Sequence, residues 1–257
     1  MTNSQLYNAI FRRKSTRKYD MAPLPADRLV KLKEFASNAR PLDESIRYEF
    51  AYLGSADVRN LLPIKAPHYI CMYSEKKGNY LMNTGFLLQQ MDLYFSDNNL
   101  ASCWLGMAKP AKGVPMLMNG LEFVIMLAFG NTTEIIHRTN TSEFKRKNLS
   151  EISSVVGADA LLEAARLAPS ASNTQAWFFS GDLDVITVSR KKLNLLKAQV
   201  YGKMNQIDIG IALFHLGLSV DHIGKMASYY FDEDVAPNGY EFMAKVKISK
   251  NDLARIR

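Results

Sequence analysis

The amino-acid sequence predicts a mixed α+β fold assembled from two similar halves. Three observations carry this. Helical and extended hydrophobic periodicities alternate along the 257 residues. Two long apolar segments, 79–98 and 205–224, are each long enough for a core-spanning helix. The two segments also match each other: Gly85-Phe86-Leu87-Leu88-Gln89-Gln90-Met91 aligns with Gly210-Ile211-Ala212-Leu213-Phe214-His215-Leu216 at a spacing of 125. At the same spacing Trp104 faces Tyr229, and at 119 Leu121-Glu122-Phe123 faces Tyr240-Glu241-Phe242. Two buried helices can resemble each other through composition alone. The ordered series of helix and strand in both halves favours a duplication, with its seam near 135–150.

The elements follow in order. Residues 4–12 form a short helix, and Met21-Ala22-Pro23-Leu24-Pro25 is an extended connector because the residue before a proline is driven from helical geometry. Residues 26–39 place Leu29, Val30, Leu32, Phe35, Ala36 and Ala39 at helical spacing. Segments 47–53 and 68–73 read as strands, and 122–129 as a buried strand ending at Gly130. Residues 161–168 form a helix stopped at Pro169, much as Pro41 closes the helix of 26–39. Segments 177–180, 183–189 and 240–248 are the remaining strands.

Composition excludes several classes. Hydrophobic residues make up 47% and charged residues 22%, the balance of a globular chain able to bury a core. No apolar run reaches the length of a membrane span, and no apolar stretch precedes the first basic cluster as a secretory signal would. With only Cys71 and Cys103, a reducing cytoplasm is the simpler setting. The net charge of +7 admits nucleic acid, anionic membrane or a phosphate-bearing small molecule as partner. The basic residues lack the interleaved aromatics or reader motif of a nucleic-acid surface, so neither nucleic acid nor membrane is expected. Dinucleotide and Walker glycine motifs are absent: Gly202-Lys203-Met204 and Gly224-Lys225-Met226 lack the hydroxyl that would hold magnesium. There is no Cys-x-x-Cys or Gly-x-Ser-x-Gly, and His215 and His222 are seven apart, which suits structural histidines better than a zinc helix.

Three segments carry candidate chemistry. In Arg12-Arg13-Lys14-Ser15-Thr16-Arg17-Lys18-Tyr19 the guanidinium forks match phosphate oxygens and Ser15 adds a hydroxyl. In Ala168-Pro169-Ser170-Ala171-Ser172-Asn173-Thr174-Gln175-Ala176-Trp177 small residues let backbone approach a flat ligand, and the amides offer both donors and acceptors. An ordinary polar helix-to-strand turn would use the same residue types. In Leu100-Ala101-Ser102-Cys103-Trp104-Leu105-Gly106-Met107 the glycine lets backbone N–H groups face a ligand, and a buried loop after a core helix reads equally well.

Together these segments resemble the nitroreductase family of FMN-dependent oxidoreductases. The first is similar to its Arg-Arg-Ser-x-Arg-x-Phe/Tyr arm and the second to its Ala-Pro-Ser-x-x-Asn-x-Gln-Pro-Trp loop, with Ala176 in place of the usual proline. Ser102-Cys103-Trp104-Leu105-Gly106 and Ala128-Phe129-Gly130 add to the likeness. The resemblance implies a nitroreductase-like fold of two pseudo-symmetric αβ halves, with antiparallel or mixed sheets and long central helices. In the usual member two subunits pair and build two FMN sites, each taking its arm from one subunit and its loop from the other. Here the arm lies in the first half and the loop in the second. The first half has Pro41-Leu42-Asp43-Glu44-Ser45 where a loop belongs, and the second has His137-Arg138-Thr139-Asn140-Thr141-Ser142 near where an arm belongs. The chain thus looks like a fused pair, 1–140 and 141–257, with one complete FMN site.

By the same resemblance Arg12, Arg13, Ser15 and Arg17 hold the FMN phosphate, joined by Arg146 of Lys145-Arg146-Lys147, a cluster that also reads as a solvated charge run. Pro169, Ser170, Ala171, Asn173 and Gln175 line the flavin, and Leu105 or Gly106 presents a backbone N–H to its N5. NADH or NADPH is the implied reductant and a nitroaromatic or quinone-like small molecule the acceptor, in a ping-pong order. No side chain is required as a catalytic acid or base. A fused chain is expected as a monomeric pseudo-dimer or a homodimer. A dehalogenase-like or flavin-consuming member and a non-catalytic flavin-binding or sensor protein remain as alternatives.

Overall fold

The computed structural model describes residues 1–232 and 234–250, with backbone alone at 195–197 and 200. Residues 251–257 of the expected second half lie outside the described residues. The chain opens with α1 (Asn3–Ile10), whose start is set by Thr2: its hydroxyl accepts the Gln5 N–H, and the Gln5 side chain accepts the Thr2 N–H. Then come α2 (Ala26–Ser37), β1 (Tyr48–Gly54), β2 (Val58–Asn60), β3 (His68–Ser74) and α3 (Tyr80–Asp97). They are followed by β4 (Ala101–Leu105), β5 (Ala108–Pro110), β6 (Leu117–Met118) and β7 (Leu121–Gly130). The remainder is α4 (Leu149–Ile152), α5 (Asp159–Arg166), β8 (Trp177–Gly181), β9 (Val185–Lys191), α6 (Leu195–His222), β10 (Lys225–Tyr230) and β11 (Tyr240–Lys250).

The strands form two larger sheets, antiparallel throughout. One runs β1-β3-β7-β4 with β6 also on β7, and the other β10-β11-β9-β8, while β2 and β5 pair separately. The first sheet is built wholly from residues 48–130 and the second from 177–250. The α+β class and antiparallel sheets are those expected.

Helices α3 and α6 pack against each other at the centre of the molecule. Every residue of α3 from Leu81 to Ser96 is buried, the polar Asn83, Gln89, Gln90 and Asp92 among them. Their approach depends on two glycines. A Cβ placed on Gly85 would collide with the carbonyl of Ile207, and one on Gly210 with the carbonyl of Met82. The contacts are reciprocal, and the partners 82/207 and 85/210 both stand 125 apart. Both histidines weighed for metal are structural. His222 stacks on Tyr7 of α1 at 4.0 Å, and His215 is fully buried.

Besides the short elements β2, β5, β6 and α4, which were not expected, three departures from the expected elements stand out. Helix α6 begins at Leu195 and not at 205, because Gly202 and the polar residues around it blur the periodicity without breaking the helix. Segment 101–105 is a strand at the sheet's edge and not a loop, and it gains a neighbour from the arm: Ser15 bridges Ser102, and the Thr16 N–H donates to the Ser102 carbonyl at 2.9 Å. Strand β10 is half-buried and among the described strands pairs only with β11, so it shows no clean alternation to read.

Candidate functional site

The arm, residues 11–19, lies between β4 on one side and residues 137–138 on the other. Arg138 donates its backbone N–H to the Arg12 carbonyl at 2.8 Å, and its guanidinium to the Arg13 carbonyl. Arg13 turns inward. Its guanidinium is 2% exposed, meets Asp92 of α3 at 2.7 Å and donates to Ser15 Oγ at 2.9 Å. Asp92 also accepts from Ser102 Oγ at 2.6 Å and Gln89 Nε2 at 3.2 Å. Gln89 Nε2 lies 3.0 Å from His215 Nε2, and His215 Nδ1 lies 2.8 Å from the Ala164 carbonyl of α5. An amide nitrogen only donates, so His215 Nε2 accepts and Nδ1 carries the proton. Burial pushes this imidazole down to about 3, and the cations Arg13 and Arg146 act in the same direction, so it is neutral at physiological pH. A buried polar chain therefore runs from the arm to the helix that leads into the loop.

The loop turns sharply after α5. Ser172, Asn173 and Gln175 have φ of +50°, +56° and +48°, three non-glycine residues in left-handed conformation and a local store of strain. Side chains hold them there. Ser170 Oγ accepts the Gln175 N–H at 3.0 Å. Arg146 donates to the Ala168 carbonyl at 3.0 Å, to Phe144 at 2.8 Å and to Asn173 Oδ1 at 2.5 Å. Asn173 Nδ2 returns a bond to the Lys145 carbonyl, and Gln175 Oε1 accepts the Lys147 N–H at 2.8 Å. Lys147 Nζ caps the turn through the Thr174 and Gln175 carbonyls. From α6, Asp208 accepts the Ala171 N–H on both carboxylate oxygens at 3.1 Å.

Arm and loop meet across a cavity of about 410 Å³. The arm supplies Ser15 and Arg17, the loop Pro169 through Ser172. Cys103, Trp104 and Gly106 come from β4 and its end. Helix α6 forms a long wall with Tyr201, Met204, Ile207, Asp208 and Ile211, and Leu62 and Met107 stand partly exposed at the mouth. Six expected site residues therefore share one cavity: Ser15, Arg17, Gly106, Pro169, Ser170 and Ala171. The rest lie around it. Arg12 pairs with Asp97 at 2.5 Å, Arg13 with Asp92, and Leu105 packs into the core beneath β4. Arg146, Asn173 and Gln175 bond within the turn they support. Missing from the expected set were Asp208, Trp104, Tyr201, Met204, Ile207 and Ile211. The five apart from Trp104 all come from α6, where two acids far apart, Asp208 and Asp221, make no spacing pattern.

The electrostatics are positive beside the arm. Burial, then Arg13, Arg138 and Arg166, push the Arg146 guanidinium down to about 9, and burial with Arg13 pushes Arg138 down to about 10. Arg17, exposed at the cavity's edge, has no acidic partner among the described residues. Trp104 Nε1 is buried with no acceptor among the described residues. A larger groove of about 680 Å³ between α1, α2 and α3 shares no residue with the loop or with the arm. Among the described residues no cluster of His, Cys, Asp or Glu is placed to hold a metal, and no helix is long and apolar enough to cross a membrane.

Fold and site together define an α+β protein with two larger antiparallel sheets and a cavity walled by a basic arm and a proline-serine turn. The profile of the family described as "Putative TM nitroreductase" matches residues 5–220. The chain belongs to this nitroreductase family. A crystal structure described as a "putative nitroreductase" from Thermotoga maritima matches with a TM-score of 0.63 at 18% identity, covering 96% of this chain and 95% of that one. A nitroreductase family protein from Clostridium difficile matches at 19% identity and a TM-score of 0.44, covering 57% of this chain and 94% of that one. A nitroreductase with bound FMN from Bacteroides fragilis matches at 15% identity and a TM-score of 0.41, covering 55% and 94%. No curated protein matches the chain.

Proposed function

We propose that the chain is an FMN-dependent oxidoreductase of nitroreductase type, with NADH or NADPH as reductant and a nitroaromatic or quinone-like molecule as acceptor. The observation that carries this reading is the cavity joining the arm to the turn, with Arg17 at its edge as a cation lacking a counter-ion among the described residues. The residues present fit the cofactor. The volume is that of a small-molecule site. Ser15 Oγ accepts from Arg13, which leaves its own proton to donate outward beside Arg17, a pair suited to a phosphate. Met204, Ile207 and Ile211 give a flavin ring an apolar face, and the 169–172 turn gives it backbone at close range. When bound, FMN would supply two-electron redox chemistry, alternating between reductant and acceptor in a ping-pong order.

The chain's part is binding, orientation and exclusion of water. Gly106 matters because a Cβ there would press on Met204 Sδ at 3.1 Å and narrow the cavity. Leu62 and Met107 add exposed apolar surface to the cavity lining. Arg12, Arg13 and Arg146 support the phosphate end through the local field and by fixing arm and turn. Replacing Arg17 with Ala is expected to raise the FMN dissociation constant about ten- to a hundredfold, the worth of one charge-assisted bond. Titration of the apo-protein followed by flavin fluorescence checks this, and bleaching of the loaded protein by NADH or NADPH with recovery on adding a quinone checks the reaction. An unchanged constant in the variant removes Arg17 from the phosphate site.

The same reading gives one cofactor per chain. At the repeat spacing, Ile211 and Trp104 of the cavity wall correspond to Phe86 and Tyr229. Those two rings pack edge to face at 5.6 Å, and Phe86 also meets Phe214 at 5.0 Å. Aromatic side chains thus occupy the region where a second cavity would open. The short turn after Pro41 is nonetheless held as its counterpart is, by Asn83 Oδ1 accepting the N–H groups of Leu42 and Asp43. These correspondences support two halves of common origin, divided near 140, of which one arm and one loop retain a site.

A further inference from the structure

Asp208 is an acid in the wall of the cavity that the redox scheme does not use. It is 4% exposed, and its two oxygens share one donor, the Ala171 N–H. A carboxylate has about four acceptor positions, so a single shared N–H leaves its charge poorly compensated. The titratable groups that share the cavity with it are Arg17 from the arm, Cys103 from β4 and Tyr201 from α6 itself. From α3 the backbone at Met82 and Gly85 opposes this stretch of α6, and the 171–173 turn adds only neutral side chains. The residue at the repeat-related position, Asn83, performs the same backbone-holding task without a charge.

Resting on the FMN reading above, we propose that Asp208 is a positioning residue that makes occupancy of the cavity depend on one protonation, the neutral carboxyl being the state that admits the anionic ligand. A neutral carboxyl still accepts the Ala171 N–H on one oxygen and gains an O–H to donate into the cavity. An ionised one repels the ligand's charge and offers only lone pairs. Burial pushes this carboxyl up to about 8, opposed by the Ala171 N–H, so the change of state falls at mildly alkaline pH.

The test measures FMN dissociation constants from about pH 7 to pH 9, above the second ionisation of the phosphate, for the wild-type chain, Asp208→Asn and Asp208→Leu. The wild-type constant is expected to rise about threefold or more across this range, with linkage allowing at most about tenfold per pH unit. Asp208→Asn keeps an oxygen for Ala171, as Asn83 does for Leu42, and is expected to bind with a flat profile. Asp208→Leu loses both and is expected to bind weakly at every pH. In the apo-protein the native state keeps a proton that the unfolded chain releases, so the wild-type Tm should fall relative to Asp208→Asn as pH rises from about 4 to about 8. Parallel pH profiles for wild type and Asp208→Asn, in binding or in Tm, would overturn the proposal. FMN binding that is retained but independent of pH overturns the coupling alone. Absence of FMN binding by the wild-type chain at every pH overturns the FMN reading and this coupling with it.

Discussion

Replacing Arg13 with Ala is expected to destabilise the fold by about 3–5 kcal/mol, because it strands a buried charge. The Arg13 guanidinium and the Asp92 carboxylate are 2% and 0% exposed and lie 2.7 Å apart. Without the cation, Asp92 retains only the Ser102 hydroxyl and the Gln89 amide, neutral donors that do not offset the loss of water around a full charge. The damage reaches the site, since Arg13 also fixes Ser15 and lies on the polar chain ending at Ala164. Arg12 provides the contrast. Its pair with Asp97 is partly exposed, and Arg12→Ala should cost no more than about 1 kcal/mol. Urea unfolding of both variants measures the difference. Equal effects would mean that burial does not govern these pairs.

The second large effect is expected at Gly210. Alanine normally stabilises a helix interior over glycine by about 1 kcal/mol, but here its Cβ would meet the Met82 carbonyl of the facing helix. The obstacle is backbone and cannot rotate aside, so α3 and α6 must separate. Gly210→Ala should therefore destabilise by about 3 kcal/mol, at the upper end of overpacking costs. Gly202, in the same helix with nothing within 4 Å of its would-be Cβ, is the control. Gly202→Ala should stabilise by about 1 kcal/mol. Thermal unfolding of the two variants should show shifts of opposite sign. Shifts of the same sign would contradict the close helix approach.

The pairing of Gly85 with Gly210 was visible in the sequence as an identity, but its meaning lies in three dimensions. Each glycine makes room for the carbonyl three residues before the other. The arm and the loop were legible because their chemistry is local: a run of guanidinium and hydroxyl groups, and a proline followed by small polar residues. Local reading could not separate residues that face the ligand from those that hold the residues that do. Arg146, Asn173 and Gln175 bond within the turn itself, and the left-handed backbone at 172, 173 and 175 explains why so many bonds are needed there. The wall of α6 was hidden for a different reason. Its first ten residues break the apolar pattern with Gly202 and with polar groups, yet this stretch places Tyr201 and Met204 at the cavity. Strand β4 was hidden because it lies at a sheet edge and completes its bonding with the arm, a contact between residues 87 apart in sequence for Ser15 and Ser102.

The central claim is one FMN site shared between the arm of the first half and the loop of the second. It is tested most directly by loading the purified chain with excess FMN, removing free flavin by gel filtration, and measuring flavin and protein in the same sample from the visible absorption and the peptide content. One FMN per chain is the predicted result. A ratio near two would show that the region filled by Phe86 and Tyr229 is a second working site, and a colourless protein that takes up no FMN would contradict the claim altogether.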